Sequence, residues 1–250
     1  MKKLLLTMLL MATGAAMASG DGALLVEKAR DLQRAETVLA DYRVTIVRPD
    51  WQREIVLHVQ EDRQTRRYVA ELSAPRKLKG TQFLKADDRL WMYMPRLQRR
   101  VGISPTMMLE PWMGSDLTNQ DLLQADAVVD GYTHHIVSNE QVDGHTVHTI
   151  RSEPRADAAV VWGHLEQRIR ADGVPLRVDY YDRDGSLTRR ITFSEPREFD
   201  GRTLPSHWRI TPMPESGSHT EVRVENLRFD VPLTEGAFVQ LQKGGPKHDS

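Results

Sequence analysis

Cysteine is absent from this chain of 250 residues. That absence excludes a disulfide framework, thiolate metal sites, a thiol nucleophile and a lipid-modified N-terminal cysteine. Long apolar runs are lacking too. Leu4–Met11 is the longest leader-like stretch, and it falls well short of the roughly 18 residues a membrane span needs. Charge of one sign is not in excess: 34 Lys and Arg face 35 Asp and Glu, for a formal net charge of −1, so there is no electrostatic case for nucleic acid. Catalytic signatures are missing as well, with no HExxH and no GxSxG. His145 and His148 are three apart and fall on opposite faces of a strand, and His134 and His135 diverge in the same way. Asp87-Asp88 reads as a polar hairpin tip. Asp182-Arg183-Asp184-Gly185-Ser186 lacks the remaining ligands and the terminal Glu of a calcium loop. The expectation is a protein that is not an enzyme and has no catalytic residues, metal or cofactor.

The N-terminus carries the features of a secretory leader. Lys2 and Lys3 precede the apolar Leu4–Met11, and Ala16-Met17-Ala18 fits small-x-small cleavage. Residues 1–18 are expected to be removed after Ala18 on export to a bacterial periplasm. Residues 19–242 are expected to form a single domain, and 243–250 a disordered tail.

Gly22 to Leu39 has apolar residues at helical spacing (Leu25, Ala29, Leu32, Ala35, Val38, Leu39) with Glu27, Arg30, Arg34 and Glu36 on the other face. From Asp41 the period becomes two. Tyr42, Val44 and Ile46 alternate with polar neighbours, and short strands with turn residues every 8 to 12 positions follow to Phe229, as in an antiparallel sandwich or barrel. Asp143-Gly144, Asp172-Gly173, Asp184-Gly185 and Asp200-Gly201 mark tight turns. Val222 and Val224 are out of phase with Leu227 and Phe229, which predicts a bulge.

What stands out against this rhythm is Gly80–Leu123. Outside the leader six methionines remain, and five of them (Met92, Met94, Met107, Met108, Met113) fall here beside Trp91, Tyr93 and Trp112. Pro95, Pro105, Pro111 and Gly114 interrupt the segment, and Ser115–Leu123 has the pattern of a short capped helix. Soft apolar side chains on interrupted pieces that cover a sheet describe a lid over a hollow. The predicted architecture is mainly β with α: a long antiparallel sheet that curls around an apolar hollow and is covered by an N-terminal helix and a helical lid.

The order of features resembles the LolA-like outer-membrane lipoprotein-sorting proteins. The resemblance rests on Asp41-Tyr42-Arg43-Val44-Thr45 opening the sheet, on Ala74-Pro75-Arg76, and above all on Phe83-Leu84-Lys85-Ala86-Asp87-Asp88-Arg89-Leu90-Trp91-Met92-Tyr93-Met94-Pro95. That last stretch is similar to the family's hairpin with a polar tip followed by Leu-Trp-aromatic-Tyr-x-Pro. Met107-Met108-Leu109 and Gly114–Leu123 fall where the family places its lid. The family's latch, an Arg directly before a Pro, is not carried over, because the order here is Pro75 then Arg76.

The resemblance implies an incomplete antiparallel β-barrel with a helical lid, acting as a non-enzymatic monomeric periplasmic carrier of lipid or lipoprotein acyl chains with an inner-membrane transporter and an outer-membrane acceptor. The alternative is a periplasmic sensor or adaptor that uses the same scaffold to bind a membrane protein. Trp91, Tyr93, Met94, Met107, Met108, Leu109, Trp112, Met113, Leu117 and Leu122 are the expected lipid-lining residues, and Arg96, Arg99 and Arg100 the expected partner-binding residues.

Overall fold

The computed structural model describes residues 19–87, 89–123, 130–158 and 160–242. The expected leader and tail lie outside these residues. Helix α1 (Ser19–Asp31) leads into thirteen strands: β1 (Thr37–Val47), β2 (Gln52–Asp62), β3 (Arg67–Ala74), β4 (Gln82–Ala86), β5 (Arg89–Met94), β6 (Arg99–Gly102), β7 (Tyr132–Val142), β8 (His145–Pro154), β9 (His164–Arg170), β10 (Pro175–Tyr181), β11 (Leu187–Phe199), β12 (Arg202–Pro212) and β13 (His219–Phe229). A five-residue helix, α2 (Asn119–Leu123), lies between β6 and β7.

The strands form one antiparallel sheet in the order β6-β5-β4-β3-β2-β1-β13-β12-β11-β10-β9-β8-β7. It is two meanders stitched together where the first strand pairs with the last. β6 and β7 are the free edges, so the barrel is not closed. The segment that joins these edges in sequence must cross from one side of the sheet to the other.

Local chemistry explains the elements. The Asp-Gly turns at 143–144 and 200–201 have positive φ at both residues (50° and 78°, 46° and 75°), the geometry that tight hairpins require. The predicted bulge is present: Asp41 pairs with Asn226 but Tyr42 with Val224, which leaves Glu225 as the extra residue. Helix α1 is shorter than its periodicity predicts. Thr37–Leu39 are claimed by pairing with β2 on one side, and Val38 and Leu39 pair with β13 on the other. Two continuous ladders satisfy backbone groups that a frayed helix end would leave open.

The concave face holds the core. Val44, Ile46, Ile55, Leu57, Val59, Leu72, Phe83, Leu204, Ile210, Val222, Val224 and Phe229 are buried in one cluster, each such side chain contributing about 1.5–3 kcal/mol. Helix α1 covers the far part of this face, where Leu25 and Val26 pack on Ile150 and Ile169. Gly22 lets it come close, because a Cβ there would lie 2.8 Å from the His134 carbonyl oxygen. On the convex face of β3–β5, a second cluster joins Val69, Leu84, Trp91 and Tyr93 to Leu233, Phe238 and Leu241 of the C-terminal segment.

Candidate functional site: a covered apolar cavity

The middle of the concave face is not filled. A cavity of about 260 Å³ lies over β1–β4, β12 and β13. Alternate residues of the strands make its floor, among them Tyr42, Val44, Leu57, Val59, Tyr68, Trp208, Val222 and Val224. Gln33, Glu61, Arg63 and Lys85 gather at the end where β1 begins, so that end is polar and the remainder is largely apolar. Burial pushes the Tyr42 phenol up to about 12, with the Glu61 charge adding to it. Tyr68 is raised for the same first reason. Both rings are therefore neutral at any physiological pH.

The roof comes from the β6–β7 segment. Trp112 and Leu117 line the cavity from above. Trp112 is 2% exposed and meets Phe83 edge-on, with ring centroids 5.5 Å apart. The segment folds back on itself. The Trp112 N–H donates to the Leu117 carbonyl at 2.7 Å, the Gln120 N–H to Met108 at 2.9 Å, and Asn119 Nδ2 to the Met107 carbonyl at 2.9 Å. Met113 and Gly114 turn the chain at positive φ. Helix α2 begins four residues later than its sequence pattern suggests, because 115–118 are used in this fold-back. Thr118 and Asp121 then cap it reciprocally: the Thr118 N–H donates to Asp121 Oδ2 at 2.7 Å, and the Asp121 N–H to Thr118 Oγ1 at 3.2 Å.

Three arginines tie this roof to the sheet, of which Arg53 on β2 donates to the Met113 carbonyl at 3.3 Å. Arg48, just past β1, donates to both Asp116 carboxylate oxygens at 3.1 Å and to the Gly114 carbonyl at 2.7 Å. Thr220 holds the same Asp116 carboxylate at 2.7 Å. Arg189 on β11 donates to Asp121 at 2.8 and 3.1 Å. Its guanidinium lies 4.2 Å from the Tyr180 ring centroid and 5.0 Å from that of Trp162. Burial alone raises the Asp121 pKa. The hydrogen bonds and charge of Arg189, with the Thr118 donors, outweigh that effect and hold it below the usual carboxylate range.

The structure brings Trp112 and Leu117 of the expected lipid-lining residues to the cavity, and Met113 packs half-buried against the core cluster beside them. Met107 and Met108 are half-buried in the roof, and Leu109 is exposed. The Leu122 side chain lies outside the described residues. Met94 is half-buried at the end of β5. Trp91 and Tyr93 are placed elsewhere: they point to the convex face, against the C-terminal segment. Met92, between them, is the β5 residue that packs on the concave cluster. Arg100 lies 5.2 Å from the Trp91 centroid and donates to the Gln240 and Leu241 carbonyls, whereas Arg96 and Arg99 are exposed.

The floor residues and Arg189 were missed by sequence reasoning, yet both left a signal. Tyr42, Val44, Val222 and Val224 are in the apolar phase of their strands, and Arg189 shares the phase of Ile191 and Phe193, a charge where an apolar residue is expected.

Among the described residues no cluster of His, Cys, Asp or Glu could hold a metal ion, and no helix is long and apolar enough to cross a membrane. A His134–Ser152 hydrogen bond of 2.8 Å, joined by Gln167, is sealed on the face that α1 covers, with Ser152 wholly buried. It satisfies buried polar groups.

A curled antiparallel sheet with a helix and a crossing segment over its hollow is the LolA-type fold. The chain is similar to a DUF1329 family protein from Desulfovibrio piger (24% identity, TM-score 0.77, covering 88% of this chain and 96% of that one). It is similar to an outer membrane lipoprotein-sorting protein domain from Vibrio parahaemolyticus (21%, 0.76, covering 90% and 99%). It is also similar to a LolA superfamily protein from Nitrosomonas europaea (16%, 0.69, covering 87% and 97%). None of the curated proteins matches it. A family model described as "-like: Uncharacterized protein" matches residues 64–242, well over half of the chain, and the chain belongs to that family.

Proposed function

We propose that this protein is a periplasmic carrier that holds acyl chains of a lipid or lipoprotein in the covered cavity and moves them between the envelope membranes, without chemical transformation. The observation that carries this reading is the cavity itself: an apolar floor built by six strands, polar at one end, and roofed by a segment held by one buried tryptophan and a few polar ties. The fold it shares with lipoprotein-sorting proteins supports the same reading. Each methylene removed from water contributes roughly 0.8 kcal/mol, so one long chain supplies on the order of 10 kcal/mol, less the cost of ordering it.

The cavity, of about 260 Å³, is covered but partly open to solvent. It accommodates part of one chain, so fuller loading displaces Trp112 and Leu117. An inner-membrane transporter as donor and an outer-membrane acceptor belong to this proposal as partners, with the protein acting as a monomer. Half-buried Met107, Met108 and Met113 would then line the opened roof.

The test is mass spectrometry of protein gently isolated from periplasm, under native conditions and after solvent extraction. A stoichiometric lipid or acylated peptide is expected. Empty protein that also takes up no fluorescent acyl probe overturns the carrier and favours an adaptor built on the same scaffold.

A further inference from the structure

Most arginines on the convex face are in ion pairs. Arg43 pairs with Glu54 and Glu225, Arg151 with Glu153 and Glu166, Arg177 and Arg190 with Asp179, Arg209 with Glu221, and Arg223 with Glu195. The exceptions are concentrated in one place. The β3–β4 turn, Pro75-Arg76-Lys77-Leu78-Lys79-Gly80-Thr81, and the β5–β6 turn, Pro95-Arg96-Leu97-Gln98-Arg99, lie at the same end of the sheet. They touch, since a Cβ on Gly80 would lie 3.2 Å from the Pro95 ring. Together they contain five cations and no carboxylate. Arg76, Lys77, Lys79, Arg96 and Arg99 are all exposed, and none makes a side-chain hydrogen bond or ion pair among the described residues. At the tip of the second turn stands Leu97, 66% exposed, between Arg96 and Arg99. The next hairpin, β1–β2, ends at the same side with Trp51, 39% exposed, within 5.8 Å of Arg48 and 5.1 Å of Arg53.

Five unpaired cations on two adjoining turns repel one another, and nothing in the fold offsets that repulsion. A salt-bridged surface needs no such concentration. We propose that this rim docks on an anionic phospholipid bilayer. An acidic protein would match the charge alone. A bilayer also accounts for the exposed Leu97 and Trp51: cations settle at the phosphate level, while a protruding leucine and an interfacial tryptophan enter the boundary beneath it. The rim lies opposite the polar end of the cavity. It adjoins the β1–β2 hairpin, whose Arg48 and Arg53 hold the roof at Asp116, Gly114 and the Met113 carbonyl. Docking therefore presents that end of the roof to the membrane. The inference is independent of whether the cavity carries acyl chains.

Each cation near an anionic surface is worth about five-fold in partitioning. The test is flotation of the full mature chain with vesicles of phosphatidylcholine alone or with a quarter phosphatidylglycerol. The expected result is binding to the anionic vesicles only, weakened by salt as screening predicts. Arg76→Gln/Lys77→Gln/Lys79→Gln lowers it about a hundred-fold, and Leu97→Asp lowers it several-fold at constant salt. All four positions are exposed or at a turn tip, so an unchanged urea midpoint establishes that these variants fold. Absence of binding to anionic vesicles, equal binding to neutral ones, or a triple variant that binds like wild type overturns the proposal. So does capture of an acidic protein through the rim by a chain that binds no vesicles.

Discussion

At the scale of single residues, Trp112 is the buried aromatic side chain that joins the roof to the core. Its indole Nε1 is buried and has no hydrogen-bond partner. The side chain therefore holds its place by packing, against Phe83 and the cavity rim. Trp112→Ala is expected to cost about 3–5 kcal/mol, read as a lower urea midpoint, and to enlarge the cavity. Trp112→Phe loses no hydrogen bond and is expected to cost roughly half as much. A Phe variant as damaged as the Ala variant would show that the indole N–H makes a contact essential to the fold.

The choice of lining residues also turns on single side chains. In Leu90–Met94 the hydrophobic alternation is undecided, since Trp91, Met92, Tyr93 and Met94 are all apolar. No face is polar, so sequence alone could not tell which residues look inward. The structure resolves it through the partners: Met92 pairs with Phe83 on the concave side, Trp91 with Leu84 on the convex side.

At the scale of elements, Asp121 on the roof and the carboxylates around the C-terminal segment, Asp62 and Glu235, have depressed pKa. Arg67 grips Asp62 at 2.8 Å and Glu235 at 3.1 Å, and covers the Phe238 ring at 4.4 Å. Burial by itself raises Asp62, but hydrogen bonds from Thr65 and Arg67 outweigh it and lower the pKa to about 2. Glu235 is lowered by the hydrogen bond and charge of Arg67. A group depressed in the folded state stabilises above its unfolded pKa and loses that contribution as pH falls through the folded value. Stability is thus expected to decline as pH drops from about 4 towards 2, with Asp62→Asn flattening that part of the profile. Denaturant midpoints measured across this range check it, and an unchanged slope in Asp62→Asn would remove Asp62 from the account.

Asp121 is the corresponding point on the roof. Asp121→Asn keeps a polar side chain but forfeits the charge facing Arg189, at a cost of about 1.5–3 kcal/mol. The loss is local, because α2 contributes little to the sheet. Faster proteolysis within 105–123 and quicker uptake of a fluorescent acyl probe are expected, with the main unfolding transition nearly unmoved. If uptake stayed at the wild-type rate, the Arg189–Asp121 pair would not gate the cavity. The strands around these ties were legible from alternation, Asp-Gly turns and the phase change before Leu227. The ties were not, because Arg189 and Asp121 are 68 positions apart and nothing local links them.

For the whole molecule, the decisive pairing is the least local one. β1 and β13 join residues 37–47 to 219–229 and fuse the two meanders into one sheet. Alternation shows that both are strands but carries no information about which strand each adopts as neighbour. The floor of the cavity is built at this seam, so neither half of the chain holds a finished site. The same seam places the C-terminal segment after β13 on the convex face of β3–β5, where Phe238 is wholly buried. A chain ending at residue 218 lacks β13, leaves β1 and β12 unpaired along the seam, and is expected not to fold. A chain ending at residue 231 keeps every strand but uncovers Val69, Leu84, Trp91 and Tyr93. It is expected to retain its β-sheet circular dichroism, lose several kcal/mol of stability, and bind a hydrophobic dye at the exposed face. Acyl-probe uptake should persist in that shortened chain, because the strap lies on the opposite face from the cavity. Loss of uptake with the sheet intact would instead couple the convex face to the cavity, and Trp91 and Tyr93 would regain a part in binding from outside the hollow.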